Sequence, residues 1–454
     1  MSVILRQGLK YSIVGYLGFL LGTLANFFIF PNDLEFYGKL RFIFPTAEMF
    51  VPIVVFGISF SNVKFFAQTQ KDGKHQNMLS LSLVGIFINF FIFGILYILI
   101  YKRIAIPNIF ENLFPKLANT GAFCLFFFAK VPENLAFIFF ISVFFMAMLG
   151  YFLYNNKLEK FHFDFSTDYF RQNGLWVQIL SYSFFGFLGN IGSFLALKIA
   201  NVMIGEYIGF EQNGLYSNIY SIVTLINIPQ MGLYNISAPM INKHLTENTL
   251  QDLDRFHKKT SLSLFFLGLV FFSCIVVGFP FLTDFMKNGE LLRTAEPILW
   301  IIGMTMLFDL ATGFTSHIIS MSKFYKYNTL FMLILAVVTI ALNAFFLKYT
   351  NLGILGIAIS YAVSLTSFNL IKIVFNYRHF KVFPLSIKMI WSIIICGSAI
   401  VLASVFPNFQ SSFVNLIYKP ALVLVVIFIG NLIFKIYPLN QILQKYLLKK
   451  SENK

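Results

Sequence analysis

FGFLGNIGSFLALKIANVMIGEYIGFEQNGLYSNIYSIVTLINIPQMGLYNISAPMINK, running from Phe185 to Lys243, consists of two long apolar runs joined by a short polar hairpin, EQNGLY. Each run has the length, about 20 residues, at which an α-helix crosses a bilayer. Lys198 lies inside the first run, where an unpaired charge is expensive, and this makes it the leading candidate for a working side chain.

Working outward, the 454-residue chain is 58% hydrophobic and only 12% charged, with mean hydropathy +0.76. Soluble domains carry about a quarter charged residues, so this chain uses lipid as its solvent. Backbone amides in hydrocarbon must be paired within the segment. Continuous apolar runs, rather than strict alternation, select helices over a barrel. The net charge of +15 does not point to nucleic acid, because the lysines and arginines sit in short gaps between apolar runs and form no long basic patch. Cys124, Cys274 and Cys396 each lie in an apolar run without CxxC or Cys/His spacing, which argues against disulfides and zinc. Residues 11–30 are longer than a signal-peptide core and precede no small-residue cleavage site, so they read as a permanent span.

The hydropathy pattern predicts about twelve spans, near residues 11–30, 42–61, 79–101, 134–155, 176–204, 214–238, 259–281, 297–320, 328–348, 353–376, 388–407 and 418–436. An even number puts both termini on one side. Most of the 34 lysines and arginines then fall on that side, which makes it the cytoplasm. Residues 112–130 have a short apolar core weakened by Lys116, Asn119 and Thr120, and are expected to form a shallow, re-entrant or protein-buried helix. The expected organisation is an N-terminal bundle over 1–156, a cytoplasmic linker over 157–174, a second bundle over 175–383, and a helix pair with a basic tail over 384–454. YLGFLLG (Tyr16–Gly22) is echoed by FLGNIG (Phe187–Gly192), and EFYGKL (Glu35–Leu40) by EQNGLY (Glu211–Tyr216). Paired halves are a common transporter plan, although chance similarity between glycine-bearing helices explains such echoes equally well.

Charges inside spans are few, which gives each one weight. Lys198 either snorkels to the outer interface, roughly 10 Å away by helical rise, or faces a cavity and attracts phosphate. Asp309, in MLFDLATGF, is an ion or proton site or else a structural hydrogen-bond acceptor for a neighbouring helix. Glu48 lies between Pro45 and Pro52, where a bent helix would free carbonyls for a polar group to join. Asn227 and Gln230 flank Ile228 and Pro229. A kink there would either turn two amides toward sugar hydroxyls or serve packing alone. The run Glu247–Lys259 reads as an amphipathic helix on the membrane surface. His317 reads as a hydrogen-bonded structural residue. No nucleotide-binding loop, HExxH or GxSxG motif occurs, so no catalytic residue, metal or cofactor is assigned and the chain does not read as an enzyme.

Three stretches carry a family resemblance: MIGEYIGFEQNGLYS (Met203–Ser217), FDLATGFTSHIISMSKFYKYN (Phe308–Asn328) and NLGILGIAIS (Asn351–Ser360), supported by FYGKLRF (Phe36–Phe42) and Gly57–Lys64. Over nearly its whole length the chain resembles the oligosaccharide flippases, or polysaccharide biosynthesis proteins, of the multidrug/oligosaccharidyl-lipid/polysaccharide exporter superfamily. The resemblance implies an all-α polytopic membrane protein with about 12 to 14 transmembrane helices in two pseudo-symmetric bundles plus a C-terminal helix pair. The first bundle is shortened, because the family's fourth helix is missing or compressed. It implies a glycan on undecaprenyl diphosphate as cargo, moved from the cytoplasmic to the periplasmic leaflet of a bacterial inner membrane for O-antigen, capsule or exopolysaccharide synthesis. The implied partners are the lipid-linked oligosaccharide, membrane lipids, and a glycan polymerase or other assembly proteins, without nucleic acid. In that scheme Lys198, with Arg41 and Lys64, makes a cationic cavity, Asn227 and Gln230 solvate sugars, and Asp309 and Glu48 serve coupling or structure. Relatives often carry an acid at the position of Ala200, and arginine with a glutamate around the IP step where Asn227 and Gln230 stand here. The rival readings are a drug or metabolite exporter on the same fold, an integral-membrane glycan-modifying enzyme, and a non-transporting scaffold.

Overall fold

The structure is a computed structural model describing residues 18–55, 61, 65, 68–85, 113–158, 164, 166, 168–172 and 174–437. Lys64 and residues 86–112, where the compressed fourth helix is expected, lie outside the described residues. The described chain is helical and contains no strand among its described residues.

In chain order the helices are α1 (Gly18–Asn32), α2 (Leu34–Val55), α3 (His75–Gly85), α4 (Phe114–Phe127), α5 (Glu133–Leu158), the short α6 (Asp168–Gln172), α7 (Leu175–Tyr207) and α8 (Phe210–Val223). They continue with α9 (Ile228–Thr246), α10 (Leu250–Thr283), α11 (Gly289–Thr294), α12 (Glu296–Thr312), α13 (Thr315–Met321), α14 (Tyr325–Tyr349), α15 (Ile354–Phe380), α16 (Ile387–Val405) and α17 (Ser412–Phe434). Among the described residues six helices are long and apolar enough to cross a membrane, or seven if the bent pair α12–α13 is one span. The protein is a multi-pass membrane protein.

Pro45 and Pro52 both lie inside α2, which runs as one helix from Leu34 to Val55. Two local expectations change. Pro229 does not kink a continuous helix: α8 ends at Val223, a 3-10 turn covers Thr224–Asn227, and Pro229 sits in the first turn of α9, where its missing N–H costs nothing. The run Glu247–Lys259 is no separate surface helix, because from Leu250 onward it forms the first turns of the 34-residue α10, with Leu253 and His257 already buried.

The chain groups into two compact units that interleave along the sequence: residues 1–218 with 326–360, and residues 219–325 with 361–454. The borders at 156 and 175 expected from the sequence divide the chain by span count, and they remain a proposal.

In the first unit, α2 packs along α7 and against α4. A core of Ala25, Phe30, Phe36, Tyr37, Leu40, Ala118, Ala122 and Phe123 ties α1, α2 and α4 together, and Ala136 and Phe140 extend it onto α5. Thus α4, the segment 112–130, buries one face in protein. Lys39 bonds Glu133 across α2 and α5 at 3.1 Å. Burial alone would lower the Lys39 pKa, but the hydrogen bond and charge of Glu133, with Glu35 one turn away, outweigh it and raise it.

The hairpin segments that echo each other in sequence touch each other. A side chain on Gly38 would overlap the carbonyl of Phe210, and one on Gly214 would overlap the carbonyl of Leu34. The contact is reciprocal: in each helix the glycine lies four residues after the carbonyl that its counterpart meets. Small residues permit such backbone approach, and buried amides then lock it. Asn213 Nδ2 donates to Gly38 O at 2.9 Å, Asn201 Nδ2 to Asn213 Oδ1 at 3.0 Å, and Asn218 Nδ2 to Asn26 O at 2.7 Å. Tyr37 donates to Asn26 Oδ1 at 3.0 Å, so each repeat also bonds back to its own preceding helix.

In the second unit, α10 is the central helix, packed by α9, α12, α16 and α17. Phe272 of α10 is buried against Gly303 of α12 and meets Trp300 edge-on. Lys419 of α17 is 2% exposed, and its Nζ donates to Ala403 O at 2.7 Å and Phe406 O at 2.5 Å, capping the C-terminus of α16.

We expect Gly214→Ala to lower stability by about 1–3 kcal/mol, the usual cost of overpacking a filled contact. Gly397→Ala, where nothing lies within 4 Å, should be neutral or mildly stabilising. Thermal unfolding of the two purified variants in one detergent checks this, and equal melting temperatures would show that the glycine contact does not hold α2 to α8.

Candidate functional site

Two polar clusters stand out, one in each unit. In the first unit, α2 and α7 run antiparallel, with Phe42 packed on Gly205 at one level and Glu48 facing Lys198 about two turns away. Lys198 Nζ lies 2.8 Å from Glu48 Oε2, and the two side chains are 32% and 24% exposed. The sequence offered each as a separate intramembrane charge, and the fold makes them one ion pair. Nothing in linear spacing links positions 150 residues apart on different helices. Arg41 lies seven residues before Glu48, which puts both on one face of α2, roughly 10 Å apart. Its Nε is buried and makes no hydrogen bond. The seam therefore carries two cations and one carboxylate, with donor capacity unused at Arg41.

In the second unit, Asp309 near the end of α12 accepts a hydrogen bond from Asn369 of α15 at 2.8 Å. Just beyond it the helix breaks: Gly313 adopts φ 59°, and α13 departs at 47°. That conformation favours glycine, and a side chain there would also strike Ser261 of α10. Across the break, Lys372 Nζ donates to Ser316 Oγ at 2.8 Å, and Asn376 Nδ2 to Thr315 O at 3.1 Å. Asn369, Lys372 and Asn376 are 0%, 3% and 1% exposed.

Lys372 lies inside the expected span 353–376, and the sequence reading did not single it out as a charge within a helix. A signal for it existed in the sequence. Asn369, Lys372 and Asn376 recur at i, i+3 and i+7 in an otherwise apolar helix, the spacing of one polar stripe.

Asn227 and Gln230 belong to the second unit and are half-buried. Asn227 Nδ2 points to Met306 Sδ at 3.8 Å, and its buried Oδ1 has no hydrogen-bond partner. His317 packs edge-on against Phe314. The three cysteines are free thiols. Among the described residues, no group of three or more His, Cys, Asp or Glu side chains has an arrangement suited to a metal ion.

No family model and no curated protein matches the sequence. Solved structures do match. The lipid II flippase MurJ in an inward closed conformation aligns over 93% of this chain and 98% of its own, at TM-score 0.60 and 15% identity. An inward-facing multidrug resistance MATE family transporter of the MOP superfamily aligns over 80% of this chain and 94% of its own, at TM-score 0.56 and 11% identity. The chain shares its fold with these two proteins. At such identity the likeness is one of fold. Within this fold, the two clusters above are built from this chain's own side chains.

We expect Lys198→Ala and Glu48→Ala each to destabilise the protein, with the double variant losing less than the sum of the two. The coupling for such a half-exposed pair should be about 1 kcal/mol. A double-variant cycle on melting temperature measures it, and strict additivity would mean that the pair is not formed in the membrane protein.

Proposed function

We propose that this protein is a flippase that moves an undecaprenyl-diphosphate-linked oligosaccharide from the cytoplasmic to the periplasmic leaflet, serving synthesis of a surface polysaccharide such as O-antigen, capsule or exopolysaccharide. The observation that carries the reading is the α2–α7 seam, where Arg41 has a buried donor without a partner and Lys198 is held by a single carboxylate. A lipid-linked diphosphate is costly to bring among apolar helices unless cations receive it. Arg41 supplies a planar set of donors for phosphate oxygens, and Lys198 can exchange Glu48 for phosphate without leaving the seam. Asn227 and Gln230 are assigned to the sugar moieties, because amides donate to and accept from hydroxyls. The lipid tail needs no protein pocket, since it stays in the bilayer.

Support also comes from the fold, shared over nearly the full chain with a lipid II flippase, and from the sequence resemblance to polysaccharide flippases. The protein then resides in the bacterial inner membrane with both termini cytoplasmic, carries out no covalent chemistry, and works beside glycan polymerase and other assembly proteins. The fold shared with a multidrug resistance transporter supports a second reading, export of a drug or metabolite.

Reconstitution separates the two readings. In proteoliposomes containing a fluorescent undecaprenyl-diphosphate oligosaccharide, the native chain should move label between leaflets. Arg41→Ala and Lys198→Ala should slow transfer at least about tenfold, a loss of about 1.4 kcal/mol in the transport barrier. Transport of cationic dyes with no movement of the labelled lipid would establish the exporter instead.

A further inference from the structure

Asp309 is the only acidic residue between Glu296 and Glu452. Lys372 is buried on α15 one helical turn from Asn369, whose amide holds the Asp309 carboxylate. The Lys372 ammonium has three protons to place, yet it makes one hydrogen bond, to Ser316, and rests over the Phe368 ring at 3.9 Å from its centre. On the same face, at i−3 and i+4, the buried Oδ1 atoms of Asn369 and Asn376 have no hydrogen-bond partner. Without the lysine, this group would consist of one carboxylate, two amide oxygens and one hydroxyl around a helix break. That is an all-oxygen donor set of the kind that holds hard cations such as Na⁺. With the lysine, the positive charge is covalently attached.

We propose that Lys372 is a resident cation for the Asp309 cluster, occupying the position an exchangeable monovalent cation would need, so that the polar centre of the second unit neither binds nor responds to Na⁺. The stripe Asn369–Lys372–Asn376 then does two jobs with one set of contacts. It neutralises the single acid of this region, and it clamps both sides of the α12–α13 break to α15, through Asp309 before the break and Thr315 and Ser316 after it. A cation from solution would have to be found again after every opening of the cluster, whereas a lysine on α15 returns with the helix that carries it. The inference is independent of the cargo, since it concerns a cluster to which the flippase reading assigns no substrate contact.

The test measures melting temperature for the full-length protein in detergent, comparing NaCl with choline chloride at equal ionic strength. The native chain should melt at the same temperature in both salts. Lys372→Ala should melt lower in choline and recover several degrees in NaCl. Asp309→Asn/Lys372→Met should be insensitive to the salt and more stable than Lys372→Met alone. Stabilisation of the native protein by Na⁺ that Asp309→Asn abolishes would overturn the proposal, as would a folded Lys372→Ala variant indifferent to Na⁺. Should Lys372→Ala fail to fold, the double variant decides: recovery beyond Lys372→Met supports a neutralising role for the lysine, and failure to recover refutes it.

Discussion

Surrounded by lipid tails as apolar as its own side chains, a helix of this protein gains little by exchanging lipid for a neighbour. The arrangement must therefore be held by what lipid cannot offer: backbone-to-backbone approach at glycines, and polar side chains that find a partner only on another helix. The reciprocal contact of Gly38 with Phe210 and of Gly214 with Leu34 is the first kind. The bonds of Asn213 to Gly38 and of Asn218 to Asn26 are the second, and they sit beside it. The cost of leaving an amide unpaired in hydrocarbon makes this contact specific, where aliphatic packing by itself would tolerate sliding.

The same rule explains where the helices break. A broken helix exposes carbonyls and amides that need partners. At Gly313 the Thr315 carbonyl is taken by Asn376 of α15 and Thr312 and Thr315 bond back to α12 carbonyls, while Asn369 and Lys372 of the same stripe hold the Asp309 and Ser316 side chains. At the end of α16 a buried lysine, Lys419, takes the carbonyls instead. Cations within these helices thus do different work according to their surroundings. Lys419 is a cap, Lys372 bonds a hydroxyl at a break, and Lys198 faces Glu48 in a partly exposed seam. Of the three only Lys198 is partly exposed, and the proposed anionic cargo is assigned to it for that reason.

Class, helicity and membrane residence were legible in the sequence, because span-length apolar runs admit only one backbone solution in lipid. Whereas the run 214–238 is divided at Thr224–Asn227 and 297–320 is bent at Gly313, the spans near 176–204, 259–281, 328–348, 353–376, 388–407 and 418–436 were legible for the same reason. So was the echo between EFYGKL and EQNGLY, and the structure turns that echo into a contact. The sequence could also place Glu48, Lys198 and Asp309 inside helices, since charge against an apolar background is a local signal.

Tertiary structure alone decided which of these charges belong together. Lys198 meets Glu48 across a separation that periodicity cannot bridge, and Asp309 is joined by an asparagine from a helix three elements further on. Tertiary packing also decided the continuity of α2 through two prolines and the division at Thr224–Asn227, because both depend on whether neighbouring groups are placed to take the freed backbone atoms. Hydropathy is additive along the chain, and one sequence suffices to read it. The pairing of a buried polar atom depends on the three-dimensional position of a single partner, and no local sum contains that.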